Sequence, residues 1–239
     1  MDIGGYIALS RQSGLLREMD IVANNIANIS TGGFRKKGMV FSEMLARTGF
    51  GTEGVAMAGA RTHYTAEVSG GLKQTSNPLD MAIEGDGYFQ IETLEGPRLT
   101  RAGAFLTNPE GDLVTADGAR VLDAGGAPIF IPPDATNLVV GADGTISANG
   151  QPVGQVGVFA APDPTKLVRE DGVRFRYESE IEPTETSAIR QGFLETSNVD
   201  PISEIARMIE IQRNYELGQK FLDREDERIR SVTRTLGQL

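Results

Sequence analysis

Residues 200–239 read DPISEIARMIEIQRNYELGQKFLDREDERIRSVTRTLGQL, and this stretch decides the fold. Met208, Ile211, Tyr215, Gly218, Leu222, Glu225, Ile229, Val232 and Leu236 are separated by alternating steps of three and four. Such steps average 3.5 residues, the period that keeps one seam of a helix facing a partner helix. Only Gly218 and Glu225 break the apolar rule. Asp200 supplies an N-cap carboxylate, Pro201 a first helical residue with φ already fixed, and no proline follows. A helix of about 36 residues would run roughly 54 Å, too long to stand without a partner along its length. Ile202, Ile205, Ile209, Leu217 and Phe221 add apolar groups on other faces. A helix apolar on more than one face requires more than one neighbour. The ordinary reading of such a seam is the core of the chain's own fold. The length and the extra apolar groups favour packing between chains.

Working outward to the other end, residues 3–29 carry the same period. Leu15, Met19, Val22, Ile26 and Ile29 step by four, three, four and three, and Ala8 and Gln12 extend the seam backwards. Thr31-Gly32-Gly33 predicts a left-handed C-cap near Ser30, with Phe34 as the apolar contact beyond it. Arg35, Lys36 and Lys37 are then placed for the negative end of the helix dipole. Asn24, Asn25 and Asn28 are poor helix chemistry. They read either as a fraying last turn or as amides paired across subunits, where a buried polar group fixes register.

Between the helices the pattern changes. Residues 37–78 read as an extended arm, rich in Gly, Ala and Thr and without a clear period; Met39–Leu45 fits a helical turn or a strand. From Leu79 to Tyr177, short runs rich in Val, Ile, Phe and Tyr alternate with turn pairs such as Asp86-Gly87, Glu110-Gly111, Asp117-Gly118, Gly125-Gly126, Asp143-Gly144, Asn149-Gly150 and Asp171-Gly172. Those pairs supply the positive φ of tight hairpins. The fold class expected is α+β: N- and C-terminal helices pairing as a coiled coil, with a central all-β domain, a small antiparallel barrel or sandwich. The expected boundaries are 1–36 for the N-terminal helix, 37–78 for the arm, 79–190 for the β domain and 191–239 for the C-terminal helix.

Composition narrows the function. The chain has 239 residues and a net charge of -10, which disfavours nucleic acid and anionic membrane surfaces as partners. Both ends are nearly neutral and mixed in sign, as contact surfaces tend to be, so the acid lies in the middle. There is no Cys and a single His, His63, which removes disulfides, thiolate chemistry and most nucleophile–base pairs. A lone His is no metal site. Paired acids such as Glu84 with Asp86, or Glu110 with Asp112, arise by chance among 33 carboxylates, and no Gly-rich phosphate loop stands in strand-to-helix context. The expectation is no catalytic residue, no cofactor and no metal. No run of 18 apolar residues exists, so no membrane insertion is expected. Residues 1–30 lack the basic start and unbroken apolar block of a cleaved signal. A β-rich module binding calcium or glycan on a coiled-coil stalk is the alternative from another functional class.

Three motifs then converge. Ala23-Asn24-Asn25-Ile26-Ala27-Asn28 with Thr31-Gly32-Gly33-Phe34-Arg35-Lys36 resembles the N-terminal signature of the bacterial flagellar axial proteins, the rod, hook and hook-associated proteins. Asn77-Pro78-Leu79-Asp80-Met81-Ala82-Ile83-Glu84-Gly85-Asp86-Gly87-Tyr88-Phe89 and Arg98-Leu99-Thr100-Arg101-Ala102-Gly103-Ala104-Phe105 resemble the central motif. Gly192-Phe193-Leu194-Glu195-Thr196-Ser197-Asn198-Val199 and Ile209-Glu210-Ile211-Gln212-Arg213-Asn214-Tyr215-Glu216 are similar to the C-terminal signature. Within the family, the short length and compact β region look most like a proximal-rod member, with a distal-rod member second. The resemblance implies a rod subunit that transmits torque, with terminal helices in the inner layer of a helical tube and the β domain outside. It implies as partners the chain itself, other rod proteins and the flagellar type III export apparatus, and a periplasmic place in the basal body. The assembly residues so indicated are Leu15, Met19, Val22, Asn24, Asn25, Ile26 and Asn28 in the first helix. In the second they are Ile205, Met208, Ile209, Ile211, Gln212, Arg213, Tyr215, Leu222, Ile229, Val232 and Leu236.

Overall fold

The structure, a computed structural model, describes residues 3–46, 55–184 and 186–236. Helix α1 spans Ile3–Ala27 and helix α2 spans Pro201–Leu236, and every strand lies between them in sequence. The chain forms two compact units. One contains α1, the segment Lys37–Tyr64 and α2; the other contains Asn28–Lys36 and Thr65–Val199. Among the described residues, no helix is long and apolar enough to cross a membrane.

The start of α2 follows the capping chemistry. Asp200 Oδ1 accepts the Ile202 N–H at 3.2 Å and Oδ2 accepts the Ser203 hydroxyl at 2.5 Å. Its own carbonyl accepts the Glu204 N–H at 3.1 Å, closing the first helical turn. Glu204 places a second carboxylate in that turn, where the helix dipole favours it. No proline interrupts the helix until it reaches Leu236.

The end of α1 departs from expectation. The helix stops at Ala27, two residues before the predicted end, and Asn28–Ser30 continue as turn. Gly33 does take a left-handed φ of 71°, but six residues past the helix, so it is no C-cap. A Cβ at Gly33 would sit 2.4 Å from the Arg101 carbonyl carbon. The glycine is required by close packing of two backbones within the β-rich unit, not by helix termination. Arg35 is likewise not a dipole cation at a helix end; it is buried in that unit.

In the first unit, Lys37–Ala46 and Val55–Thr65 pair in a two-stranded sheet. The stretch read from sequence as an arm therefore carries two strands. Its few β-branched residues hide it from a propensity reading. His63 lies on the second of these strands.

In the second unit a nine-stranded sheet carries the largest share of structure. Its path runs Leu167–Asp171, Arg174–Tyr177, Gly96–Thr100, Tyr88–Thr93, Arg120–Val121, Leu113–Thr115 and Phe105–Thr107, with every neighbouring pair antiparallel. Val158–Ala160 also pairs with Tyr88–Thr93, and Glu182–Pro183 with Val158–Ala160. The two end strands do not meet, so the expected barrel does not close. Strands of two to six residues offer too few ladder positions for the staggered register that closure demands. A three-stranded sheet, Leu138–Val140, Thr145–Ala148 and Gln151–Gln155, and the pair Met81–Glu84 with Ala188–Gln191 complete the main framework.

The turn chemistry reads through. Gly87, Gly111, Gly118, Gly126, Gly144, Gly150 and Gly172, the second members of the seven predicted turn pairs, all have positive φ. Asn149 and Gly150, at φ 52° and 82°, connect Thr145–Ala148 to Gln151–Gln155 with both central residues left-handed, as a two-residue hairpin requires. The core gathers Phe89, Ile91, Phe105, Leu113 and Val121 from the large sheet, Val140 and Ile146 from the three-stranded one, and Met81, Ile83 and Ile189 from the pair. Phe89 and Phe105 meet edge to face at 5.2 Å, an arrangement that adds about 0.5–1.5 kcal/mol beyond buried area.

Candidate assembly surfaces

The two helices of the first unit run antiparallel, joined by polar rungs. Near the end of α1, Asn25 is 1% exposed, and its amide is saturated within the chain. Its Oδ1 accepts the Lys37 N–H at 2.9 Å, and its Nδ2 donates to the Lys37 carbonyl at 2.9 Å and to Glu204 Oε2 at 3.0 Å. One side chain thus ties the last turn of α1, the first strand residue and the first turn of α2. One step back along α1, Glu18 Oε1 accepts from Arg207 Nε at 3.0 Å and Nη2 at 2.7 Å. Further back, Gln12 Nε2 donates to the Tyr215 carbonyl at 2.9 Å. Gly218 makes that approach possible, since a Cβ there would fall 2.0 Å from Gln12 Nε2.

The sequence-derived residues distribute unevenly over these helices. Val22 and Ile211 are buried, and Leu15, Met19, Ile26, Met208, Tyr215 and Leu222 are half-buried. These lie on the faces that the helices turn toward their own chain. Asn24, Ile205, Ile209, Gln212, Arg213, Ile229 and Val232 are exposed. Asn28 belongs to the other unit, where its Oδ1 accepts the Thr31 hydroxyl at 3.1 Å. Leu236 lies in α2, and its side chain is outside the described residues.

At about 100° per residue, Ile202, Ile205, Ile209 and Leu217 fall on the side of α2 opposite Ile211. They are 80%, 50%, 44% and 63% exposed, so a second apolar stripe runs along the helix uncovered. Ile229 instead shares the angular position of Ile211 and continues the covered seam. Helix α1 begins at Ile3, nine positions before Gln12, and nine positions along α2 from Tyr215 or Gly218 reach only Arg224 or Glu227. The seam therefore runs on past the start of α1.

The second unit holds a site that periodicity did not reveal. Glu195 is buried between two arginines. Arg101 Nη1 donates to its Oε2 at 3.1 Å, and Arg35 Nε lies 3.1 Å from Oε1 as an ion pair off the hydrogen-bond line. The Gly70 N–H donates to the same Oε1 at 3.1 Å. Arg35 also reaches the Glu67 carbonyl and Ser69 Oγ, and Arg101 the carbonyls of Ile83 and Gly85. Arg169 lies between the rings of Phe34 and Phe175, 4.8 and 4.6 Å from their centroids. Burial pushes its pKa down to about 10 and lowers that of Arg101, while it raises that of Tyr88 alongside. The cluster holds Asn28–Lys36 to the β framework by charge-assisted hydrogen bonds. The signal available was a charged residue inside each of three apolar motifs, Phe34-Arg35, Thr100-Arg101-Ala102 and Leu194-Glu195. Among the described residues, no group of three or more His, Asp or Glu is arranged to hold a metal.

With the geometry in place, comparison with known proteins is informative. Three family profiles match in order: "Flagella basal body rod protein" over residues 6–35, "Flagellar hook protein FlgE/F/G D1 domain" over 82–148, and "Flagellar basal body rod FlgEFG protein C-terminal" over 190–235. The chain belongs to the flagellar basal-body rod protein family, and it is a structural subunit rather than an enzyme. Within the family it is similar to FlgF of Caulobacter vibrioides, 40% identical with the whole of both chains covered, and to FlgF of Mesorhizobium japonicum, 39% identical over 88% of each. FlgG of Bacillus subtilis is 34% identical over 93% of this chain and 94% of its own. These two FlgF relatives match at higher identity than this FlgG, and the three profiles cover most of α1 and its following turn, part of the β-rich unit, and most of α2 with the strands just before it.

Proposed function

We propose that this chain polymerises through α1 and α2 into the proximal part of the rod and transmits torque along it, in contact with other copies and with other rod proteins. The observation that carries this reading is the second apolar stripe of α2, Ile202, Ile205, Ile209 and Leu217, left uncovered by the chain's own α1. Burying a side chain of that size contributes about 1.5–3 kcal/mol. Four of them along a rigid helix suffice for a specific contact that adds subunits without closing. The seam period of 3.5 residues supports coiled-coil packing between such helices. The match to FlgF supports the proximal position, and the full-length match to FlgG of B. subtilis keeps a distal-rod role as the second reading. Passage to the periplasmic rod through the flagellar type III export apparatus completes the proposal.

The test is incorporation. Ile205→Asp/Ile209→Asp should leave the chain absent from isolated basal bodies and the cells non-swimming, while a chain carrying Ile205→Val/Ile209→Val assembles. Normal swimming of the aspartate variant would remove the interface. Which segment of the basal body loses density when the chain is deleted separates the proximal from the distal reading.

A further inference from the structure

The chain passes between its two units at four places, after Ala27, Lys36, Tyr64 and Val199. Within the β-rich unit, the segments at the last three of these crossings are tied to one another, and the tie is Asn198. Its Oδ1 accepts the Lys36 N–H at 2.6 Å, and its Nδ2 donates to the Val68 carbonyl at 2.7 Å. Its own N–H donates to the Phe34 carbonyl at 3.3 Å. The Ala66 N–H donates to the Lys36 carbonyl at 2.9 Å and closes the triangle. One half-buried side chain at the last crossing thus holds one segment through its oxygen and another through its nitrogen. The segment that enters after Ala27 is drawn to the same place, since the Gly33 N–H donates to the Glu195 carbonyl at 2.8 Å.

We propose that Asn198 is the positioning residue that makes these crossings a torsional coupling within the subunit. The proposal rests on the reading of this chain as a torque-transmitting rod subunit and names the side chain that such a task needs. A single extended segment carries tension but not torque, because its φ and ψ are soft and it swivels about its own axis. Segments tied side by side carry a couple, since twisting one must displace the others. An amide suits the tie because it accepts through its oxygen and donates through its nitrogen. An ionised aspartate in its place accepts only, so it keeps the Lys36 bond and loses the Val68 bond.

Amide hydrogen exchange of the purified full-length chain tests the tie, with wild type compared to Asn198→Ala and Asn198→Asp. Three amides are read: Lys36, which Asn198 contacts; Ala66, which is bonded to Lys36 instead; and Leu113, bonded to the Ile129 carbonyl elsewhere in the unit. In Asn198→Ala, Lys36 and Ala66 should exchange roughly ten-fold faster while Leu113 keeps its wild-type rate, as a local opening requires. Asn198→Asp should accelerate Lys36 less, because its carboxylate still accepts that N–H. Equal acceleration at all three amides would show a general loss of stability, and an unchanged Ala66 would show that the crossings are not tied through Asn198. Either result overturns the proposal. In cells, Asn198→Ala rods should assemble and drive swimming in ordinary medium. Swimming should be lost in a viscous medium, where the motor works against more torque and singly swivelling segments yield. Should the alanine variant fail to assemble, Asn198→Asp enters the same assay. Assembled variant rods that perform as wild type at every viscosity overturn the torsional role and leave the rod-subunit reading intact. Absence of the unmodified chain from basal bodies overturns that reading itself.

Discussion

Glu195 offers one negative charge to two guanidiniums buried at 2% exposure each, so its loss leaves cations without a counter-charge inside the unit. Breaking such a buried pair from one side typically costs about 3–5 kcal/mol. We expect Glu195→Gln to destabilise the chain by that order in denaturant unfolding, with Arg101→Met costing less because Arg35 still neutralises the carboxylate. A Glu195→Gln midpoint equal to wild type would show the cluster to be energetically idle. The opposite extreme is Glu170, at the surface. The Arg98 hydrogen bond, and after it that of Arg176, holds the Glu170 carboxyl below its ordinary 4.5. Its folded pKa is depressed, so its stabilisation is full above 4.5 and disappears as pH falls through the folded value. Arg98→Met should move the Glu170 carboxyl titration, followed by carbon NMR, up toward 4.5; an unmoved midpoint would contradict the assignment. Neither cluster was legible from sequence. Arg35 and Glu195 stand 160 positions apart, and no period or spacing rule joins residues that only the folded chain brings together. The sequence placed Arg35 with Lys36 and Lys37 as dipole cations, because local order is all that a charge run displays.

At the scale of elements, legibility followed the strength of the local signal. Seven turn pairs were readable because positive φ is a requirement of single residues, and strands such as Tyr88–Thr93 and Leu113–Thr115 emerged between them. Ala188–Gln191 and Phe193–Glu195 did not, because they lie in a polar stretch and are strands only through pairing with Met81–Glu84 and Leu72–Gln74. Ile129–Ile131 reads as a strand yet makes a single isolated bridge, Phe130 with Asp112. In the helices the 3.5-residue period marked two apolar stripes, and Gly218 was marked only as a defect in one. The structure makes it a contact point, and this has a testable sign. Gly→Ala in a helix interior gains about 1 kcal/mol from propensity. At 218 the new methyl displaces the buried Gln12 amide from the Tyr215 carbonyl, an unmade bond that costs about 1–3 kcal/mol. Gly218→Ala should therefore destabilise wild type by about 1 kcal/mol and stabilise a Gln12→Ala background by about 1 kcal/mol. Equal signs in the two backgrounds would rule out the steric account.

For the whole molecule, the informative contrast is between the two faces of α2. Leu222 is half-buried on the side turned toward α1, whereas Ile209 is 44% exposed on the opposite side. Both are apolar residues on one helix, and sequence alone assigned both to assembly, since a period shows that a stripe exists but not which neighbour covers it. The structure separates them. A charge at Leu222 must be buried against the chain's own partner helix or push that helix away. A charge at Ile209 meets water in the free chain, where surface substitutions change stability by no more than about 0.5 kcal/mol. If the stripe is the proposed assembly surface, the same charge is buried against a neighbouring copy in the rod. We therefore expect Leu222→Asp to lower both the monomer's unfolding midpoint and its incorporation into basal bodies. Ile209→Asp should leave the midpoint within experimental scatter and still abolish incorporation. The comparison needs purified chain below its association concentration for the melts and swimming cells for the assembly readout. If Ile209→Asp destabilises the free chain as much as Leu222→Asp, the exposed stripe serves the fold of the single chain and the helices carry no outward-facing assembly surface. If it melts normally and assembles normally, the stripe is solvent-facing in the rod as well, and subunit contacts must be carried by the seam alone.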